Sequence, residues 1–553
     1  MAADVLEADD GAFPTLGDVD LQRLRRFGRV ESIGQGTVLQ RSGDIPRDFY
    51  VVVSGSIDVA IRMDGQEQVL RRHQPGGFLG ELSLLTGQRS YVEARMAEPG
   101  ELIVVRHEAF RRVIATEPEL SDIILRAFVS RRRAMITLPS SPLRILGSTF
   151  SPESLRLREF AVRNRLMHHW IDVETAPEAP ALMESLGIRP LDLPVVLLAD
   201  ETPMRQATPG ALSERLGLTI ESIPEREFDL VVVGAGPAGL ASSVYAASEG
   251  LSTLAVEAVA VGGQAGTSSR IENYLGFPRG ISGEDLASRA QLQAIKFGAQ
   301  FTSPCVAIGL TSTGSHMAVR LNDGTVIGGR ALIIATGAHY RRLATPDLPR
   351  YEDAGVYYAA TETEAQQCSG GRVVVVGGGN SAGQAAMFLS RRASEVVLVV
   401  RSDNLGKSMS SYLTNRIATS PAIKVRIRTE VTGLHGERGL EAVTLTHPDG
   451  STERLGCSGL FSFIGADAGT EWLSTCASLD GTGFIRTDRA LDRRTLDSRW
   501  DVLGREPLPF ETGHPGLFAA GDVRSGSVKR VAAAVGEGSA VVRSVHDHLS
   551  YAH

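Results

Sequence analysis

No C-x-x-C occurs anywhere in this chain. Its four cysteines, Cys305, Cys368, Cys457 and Cys476, lie far apart in the sequence. That absence removes thiol exchange through an internal cysteine pair, and it leaves the four as small, reduced, apolar residues expected inside the fold. No apolar run reaches the about 20 residues of a membrane span, and the opening MAADVLEADDGAF is acidic where a signal peptide is basic. The expected location is therefore the cytoplasm, with no membrane partner. A basic excess is also missing: the net charge of −7 argues against a general nucleic-acid binder.

What the chain does have is length and glycine. With 553 residues, 42% of them hydrophobic, and 59 glycines it has room for three or four turn-rich α/β domains. Residues 228–258 carry the strongest local signal. Apolar residues 230–233 run into Gly234-Ala235-Gly236-Pro237-Ala238-Gly239, and an Ala- and Leu-rich helical pattern follows. In such a strand, turn and helix, Gly234 permits the sharp turn, Gly236 lets a pyrophosphate approach, and Gly239 packs helix on strand. Helix N–H groups then face the phosphate, and Glu257, ending the next strand, suits a ribose diol. The same logic recurs at residues 372–382, where a valine run enters Gly377-Gly378-Gly379-Asn380-Ser381-Ala382. Here the following strand, 396–400, ends in Arg401, a cation that favours a 2′-phosphate and so NADPH over NADH.

Short β-type segments punctuated by glycine at residues 34–37, 49–54, 55–62 and 75–78 predict a barrel or jelly roll, preceded by a helix around 21–27 and followed by a helix over 119–135. Phe78-Leu79-Gly80-Glu81-Leu82-Ser83-Leu84-Leu85 with Arg89-Ser90 resembles the phosphate cassette of cyclic-nucleotide-binding domains, and the resemblance covers residues 12–137. It implies that Glu81 meets a ribose hydroxyl and Arg89 a cyclic phosphate. Two departures are visible: the cassette is short, and Tyr91 stands where the family has a small residue. A ligand-free barrel used for docking or oligomerisation is the other reading. The run Arg131-Arg132-Arg133 is expected on a solvated helix face.

Residues 138–142 read as a linker. Residues 142–222 alternate strand and helix patterns in an order that resembles the thioredoxin or glutaredoxin fold, which implies a cis bond before Pro194. Where that family carries its redox motif this chain has Ser151-Pro152-Glu153-Ser154, so the domain is expected to be silent in thiol exchange, with Ser151 as a helix N-cap.

From residue 226 onward the chain resembles thioredoxin reductases. Gly262-Gly263-Gln264, Glu272-Asn273-Tyr274, Ala335-Thr336-Gly337 and Ala520-Gly521-Asp522 match segments that this family wraps around FAD, and Lys529-Arg530-Val531-Ala532 falls where the family approaches the flavin ring. The resemblance implies an FAD-binding domain in two parts, 226–342 and 467–553, around an NAD(P)H-binding domain at 343–466, and a homodimer. Where the family offers a histidine and further arginines for the phosphate, this chain has Val400, Ser402 and Gly406, with Lys407 as a second cation. The family's active disulfide corresponds to residues 357–365, which contain no cysteine, and Cys368 is the nearest thiol. The expected architecture is thus a β jelly roll, an α/β thioredoxin-like domain and an α/β flavoprotein with two dinucleotide-binding domains. The expected activity is hydride transfer from NADPH to FAD and onward to an unidentified acceptor, with the N-terminal domain regulating or positioning it and a cyclic nucleotide as its candidate ligand. Alternatives are a thioredoxin-disulfide reductase using a partner's thiols, a ferredoxin-NADP reductase, and a flavin-based redox sensor or scaffold.

Overall fold

Runs of β-branched residues bounded by glycine form strands buried on both faces, the pattern of a parallel sheet covered by helices. In the computed structural model, which describes residues 11–551 except 64–65, 82, 137–142, 199–202, 220–226, 269, 314–315, 346, 353, 359, 361, 438, 474–475 and 497, two such sheets organise the C-terminal half. The first is centred on Glu227–Val233, flanked in parallel by Thr253–Val256 and Val326–Ile334. Leu517–Ala519 adds a further parallel strand beside Val326–Ile334. Register aligns Val256, Val233, Ile334 and Ala519 at one edge, so four strand ends open side by side. The helices Pro237–Ser248 and Val531–Tyr551 pack together over this sheet, where Gly538 allows the backbones to meet.

The second sheet has five parallel strands, ordered Val356–Tyr357, Gly459–Ser462, Arg372–Val376, Glu395–Val400 and Ile423–Ile427. The chain enters and leaves this unit through adjacent segments, because His339–Tyr340 pairs antiparallel with Ala466–Asp467.

The N-terminal part is a sandwich of two four-stranded sheets, whose described pairings are antiparallel. Phe49, Phe78, Phe110 and Phe128 fill its core, with Phe49 and Phe110 stacked at 4.6 Å. The first helix spans Asp18–Leu24 rather than 21–27. Acidic residues at its N-terminus start it early, with Asp20 accepting the Gly17 N–H, and residues 25–27 form a turn.

The arginine run is a correction. Arg131 and Arg132 are buried, not solvated. Arg131 donates to the carbonyls of Ala12, Phe78 and Gly80 and lies over the Phe13 and Phe78 rings. Arg132 donates to Gln88 at 2.8 Å. A charge run reads as surface in sequence because nothing local shows which carbonyls will gather around it.

The second unit has the expected strand and helix order. His168–Asp172 pairs parallel with Leu143–Gly147, which pairs antiparallel with Val195–Leu198, and the Leu193–Pro194 peptide is cis. Ser151 caps the helix Pro152–Arg163 by accepting the Ser154 N–H, while the Ser154 hydroxyl accepts the Ser148 N–H. The expected linker at 138–142 and the boundary at 222–226 lie outside the described residues.

These units share cores. Ile61, Leu70, Tyr91 and Val92 of the sandwich pack with Leu157, Phe160 and Leu216 of the second unit. Ile295, from the first dinucleotide-type unit, belongs to the sandwich's aromatic core. The position of Tyr91 now has a physical reason: a large, buried ring there is part of an interface.

Candidate functional site

The four aligned strand ends of the first sheet make one concave edge, the usual position of a nucleotide in such folds. Gly234 turns with φ of 102°, and a Cβ there would meet the Ala335 carbonyl oxygen at 2.4 Å. At Gly239 a Cβ would lie 1.8 Å from the Gly234 carbonyl oxygen, so the helix can sit this close only without a side chain. Gly236 differs. Its φ is −73° and the nearest atom to a Cβ would be Gly263 Cα at 3.8 Å, an ordinary contact, so its side-chain position is not crowded by the protein. Gly236 caps the helix with no side-chain hydrogen bond, and Pro237 supplies no N–H at the first position. The following amide groups therefore face that space, an arrangement suited to a diphosphate.

Around this opening stand polar groups that the protein does not satisfy. Thr336 Oγ1 and Asp522 Oδ1 are buried without a partner among the described residues. Burial pushes the Asp522 carboxyl above the usual carboxylate range, opposed by Lys529, whose ammonium contacts the Asp522 carbonyl oxygen and lies 4.0 Å from the centre of the Phe484 ring. Unpaired buried groups cost stability, and a bound polar molecule removes that cost. Glu257 is also buried. Its carboxylate accepts the N–H groups of Ala235 at 2.7 Å and Val259 at 3.1 Å, which together with Arg163 oppose the upward push of burial. Gln264 donates to the Ala338 carbonyl and so ties its loop to residues 335–338, and Ala238 packs beneath Gly521, where a Cβ would come within 2.7 Å. Arg530, Val531 and Ala532 form the N-terminal end of the last helix beside this edge, whereas Asn273 is exposed.

Glu537 was not singled out by the sequence reading. It accepts the Gly521 N–H at 2.8 Å and a two-pronged contact from Arg524, and so holds the turn that presents Asp522. No sequence signal links it to a turn 16 residues away.

The second sheet repeats the design. Gly377 turns with φ of 142°, Ala382 is fully buried, and nothing lies within 4 Å of a Cβ at Gly379. Asn380 accepts the Ser410 N–H at 2.7 Å, which pins the loop after Arg401 against the helix start. Arg401 is exposed and makes no hydrogen bond or ion pair among the described residues. Beside it, at the end of the neighbouring strand, Arg428 donates its N–H to the Ser402 carbonyl and is exposed as well. Sequence reading missed Arg428 because it lies 27 residues away, and pairing of parallel strands alone brings it near.

Between the two units is a cleft of about 100 Å³ lined by Thr267, Ser268 and Glu272 on one side and Ser381, Gln384 and Phe463 on the other. Arg416 spans it to Glu272 at 2.7 Å. Ala359 and Thr361, in the stretch matched to the missing disulfide, lie outside the described residues. Cys368 is buried in the core of the second unit, donates to the Ser458 carbonyl at 3.4 Å, and has its thiol pushed up to about 11 by burial. At pH 8 only about one such thiol in a thousand is ionised. Native protein treated with iodoacetamide at pH 8 should therefore stay unlabelled at Cys368 by mass spectrometry. Rapid labelling in the folded state would show an accessible, reactive thiol instead.

In the N-terminal sandwich Glu81 and Arg89 line different hollows, and Gln40 lines both. Glu81 accepts the Ser83 hydroxyl and leaves Oε2 buried without a partner among the described residues, in a pocket with Arg71, His73 and Arg131. Phe13 lies over both arginines there, 4.6 Å and 5.0 Å from their guanidinium carbons, and the free volume is about 40 Å³. Arg89 faces a different hollow beside Asp48 and Tyr50, donates to the Gly43 carbonyl at 2.9 Å, and gives its backbone N–H to Leu216 of the second unit. Gln40 lines both hollows and binds Ser90 between them.

Comparison with known proteins agrees with this geometry. Residues 228–538 match the family model described as pyridine nucleotide-disulphide oxidoreductase, and residues 30–117 match the cyclic nucleotide-binding domain. The thioredoxin reductase of Streptomyces clavuligerus is 32% identical over 329 residues, 58% of this chain and 94% of that protein. That of Treponema pallidum is also 32% identical, over 59% of this chain and 98% of the relative. Among solved structures, Lactococcus lactis thioredoxin reductase in its FR conformation is similar at a TM-score of 0.52 and 26% identity, across 58% of this chain and 99% of that one. The thioredoxin reductase of T. acidophilum is similar at 0.52 and 27%, with 58% and 99% covered. With more than half of its length matched, and with a cyclic nucleotide-binding domain ahead of that match, this chain belongs to the pyridine nucleotide-disulphide oxidoreductase family.

Proposed function

We propose that the chain is an FAD-dependent NADPH oxidoreductase of thioredoxin-reductase-like type whose electrons leave the protein without passing through an internal dithiol. The observation that carries the FAD assignment is the pair of unsatisfied buried atoms, Thr336 Oγ1 and Asp522 Oδ1, on the same edge as the uncrowded position at Gly236. Bound FAD would supply a centre that accepts hydride and releases electrons. The residues here would bind and orient: the amides after Gly236 the diphosphate, Glu257 a ribose, Asp522 the polar chain leading to the ring. Arg401, with Arg428 beside it, would read the 2′-phosphate of NADPH, and the Gly379 turn would take that cofactor's diphosphate. Holding two rings in register is the main catalytic contribution such a site makes to hydride transfer.

The second unit is read as a thioredoxin-like spacer. The Ser151 hydroxyl caps a helix and the Ser154 hydroxyl holds the Ser148 N–H, and the helix Pro209–Leu216 bonds to the first dinucleotide-type unit through Ser213 and the Ser303 carbonyl at 2.6 Å. The sandwich is read as a positioning domain, supported by the cores it shares with both neighbours.

The test is an anaerobic absorbance titration of purified protein with NADPH, followed by turnover with ferricyanide, a quinone, an iron–sulfur protein and thioredoxin. Flavin bleaching by NADPH with reduction of small acceptors is the expected result, together with no thioredoxin turnover in wild type or in Cys368→Ser. Thioredoxin turnover that vanishes in Cys368→Ser would show a thiol route after all.

A further inference from the structure

Where the sandwich, the second unit and the first dinucleotide-type unit meet there is a cavity of about 290 Å³, at the small end of ligand sites. Its floor is apolar, with Leu218, Val261, Ile295 and Phe301, and its polar wall includes Asn164, Ser288 and Gln291. Three arginines, Arg111, Arg163 and Arg165, line it, and among the described residues no carboxylate does. Arg163 and Arg165 are paired at the rim, with Glu159 at 3.5 Å and Glu284 at 2.7 Å. Arg111 has no acid. It donates Nη2 to the Leu85 carbonyl at 3.1 Å and Nε to His107 at 3.4 Å, and its Nη1 has no partner among the described residues. Burial and the Arg111 charge push His107 down, so at neutral pH the ring adds no second charge and cancels none. A partly buried guanidinium without a counter-ion, above an apolar floor, is the chemistry of an anion site.

We propose that this junction cavity binds a phosphate monoester carrying an aromatic ring, the phosphate on Arg111 and Arg163 and the ring against Phe301. A planar guanidinium presents paired donors to phosphate oxygens, and Arg111 brings a positive charge that no acid among the described residues offsets. Such a ligand would also reach the nucleotide edge. Arg163 Nη2 donates to the Gly263 carbonyl at 3.3 Å, and Gly263 backs Gly236 closely enough that a Cβ on it would come within 2.9 Å of Gly236 Cα. Phosphate on Arg163 competes with that contact, so occupancy of the junction is transmitted to the turn that we assign to the FAD diphosphate. This last step, and only this step, rests on the FAD reading.

Isothermal titration of the full-length protein with phenyl phosphate tests the site directly. A dissociation constant below about 1 mM is expected, with inorganic phosphate and phenol each at least about tenfold weaker. Arg111→Gln should weaken phenyl phosphate at least about tenfold, and Gln291→Trp, which fills the cavity from its helical wall without removing a charge, should abolish binding. Glu81→Gln, in the sandwich pocket, should leave it unchanged. No heat up to about 10 mM, equal affinity for inorganic phosphate, or undiminished binding in either Arg111→Gln or Gln291→Trp would overturn the proposal. The calorimetric signal does not need flavin, so a colourless protein that still binds phenyl phosphate would separate failure of the FAD reading from failure of this one.

Discussion

Gly236→Val should give a folded protein that purifies colourless. The variant is expected to fold because valine tolerates a φ of −73° and because its Cβ would have 3.8 Å of clearance to Gly263 Cα. Losing glycine at a helix N-cap costs at most about 1 kcal/mol. The methyl groups would occupy the space in front of the helix amides where a diphosphate must lie. Flavin affinity should fall at least about a hundredfold, roughly 2.7 kcal/mol. The melting temperature belongs beside that of flavin-stripped wild type, because loss of a bound ligand lowers it by itself. Gly239→Ala is the contrasting case: with 1.8 Å to the Gly234 carbonyl oxygen, even one methyl must push helix and strand apart, so this variant should lose stability whether or not flavin is present. A Gly236→Val protein that keeps one flavin per chain would refute the placement of the diphosphate.

Arg401→Ala should cost NADPH far more than NADH. A charge-assisted contact to phosphate is worth about 1.5–3 kcal/mol, or about 10- to 150-fold in affinity. Because Arg401 is exposed, screening should bring the loss toward the lower figure at physiological salt and the higher one at low salt. Arg428, exposed at the neighbouring strand end, should preserve part of the preference, and Arg401→Ala combined with Arg428→Ala should remove the remainder. Binding of both dinucleotides is measured by titrating flavin bleaching anaerobically. Equal losses for NADPH and NADH in the single variant would show that Arg401 does not contact the phosphate.

Local motifs were legible in the sequence because their physics is local. A glycine turn between a strand and a helix needs its glycines within six residues, and both turns stand where residues 234–239 and 377–382 suggested. Ser151 was readable as a helix cap for the same reason. The sandwich and the family membership followed from strand spacing and from motif resemblance.

Other features depended on elements far apart in the chain. Arg131 and Arg132 are buried because carbonyls and rings from the other side of the sandwich surround one of them and Gln88 the other, and no neighbouring residue announces that. Glu81 and Arg89, eight residues apart, line different hollows, and Gln40, more than forty residues earlier, lines both. Parallel pairing sets Arg428 beside Arg401, helix packing sets Glu537 under Gly521, and the meeting of three units makes the cavity around Arg111. Short-range sterics and hydrogen bonding thus determined, from the sequence alone, where the two glycine turns form and which serine caps its helix. Which charges are buried, which are left unpaired, and which pocket each one faces was decided only by tertiary packing, because those properties depend on neighbours that the linear order does not name.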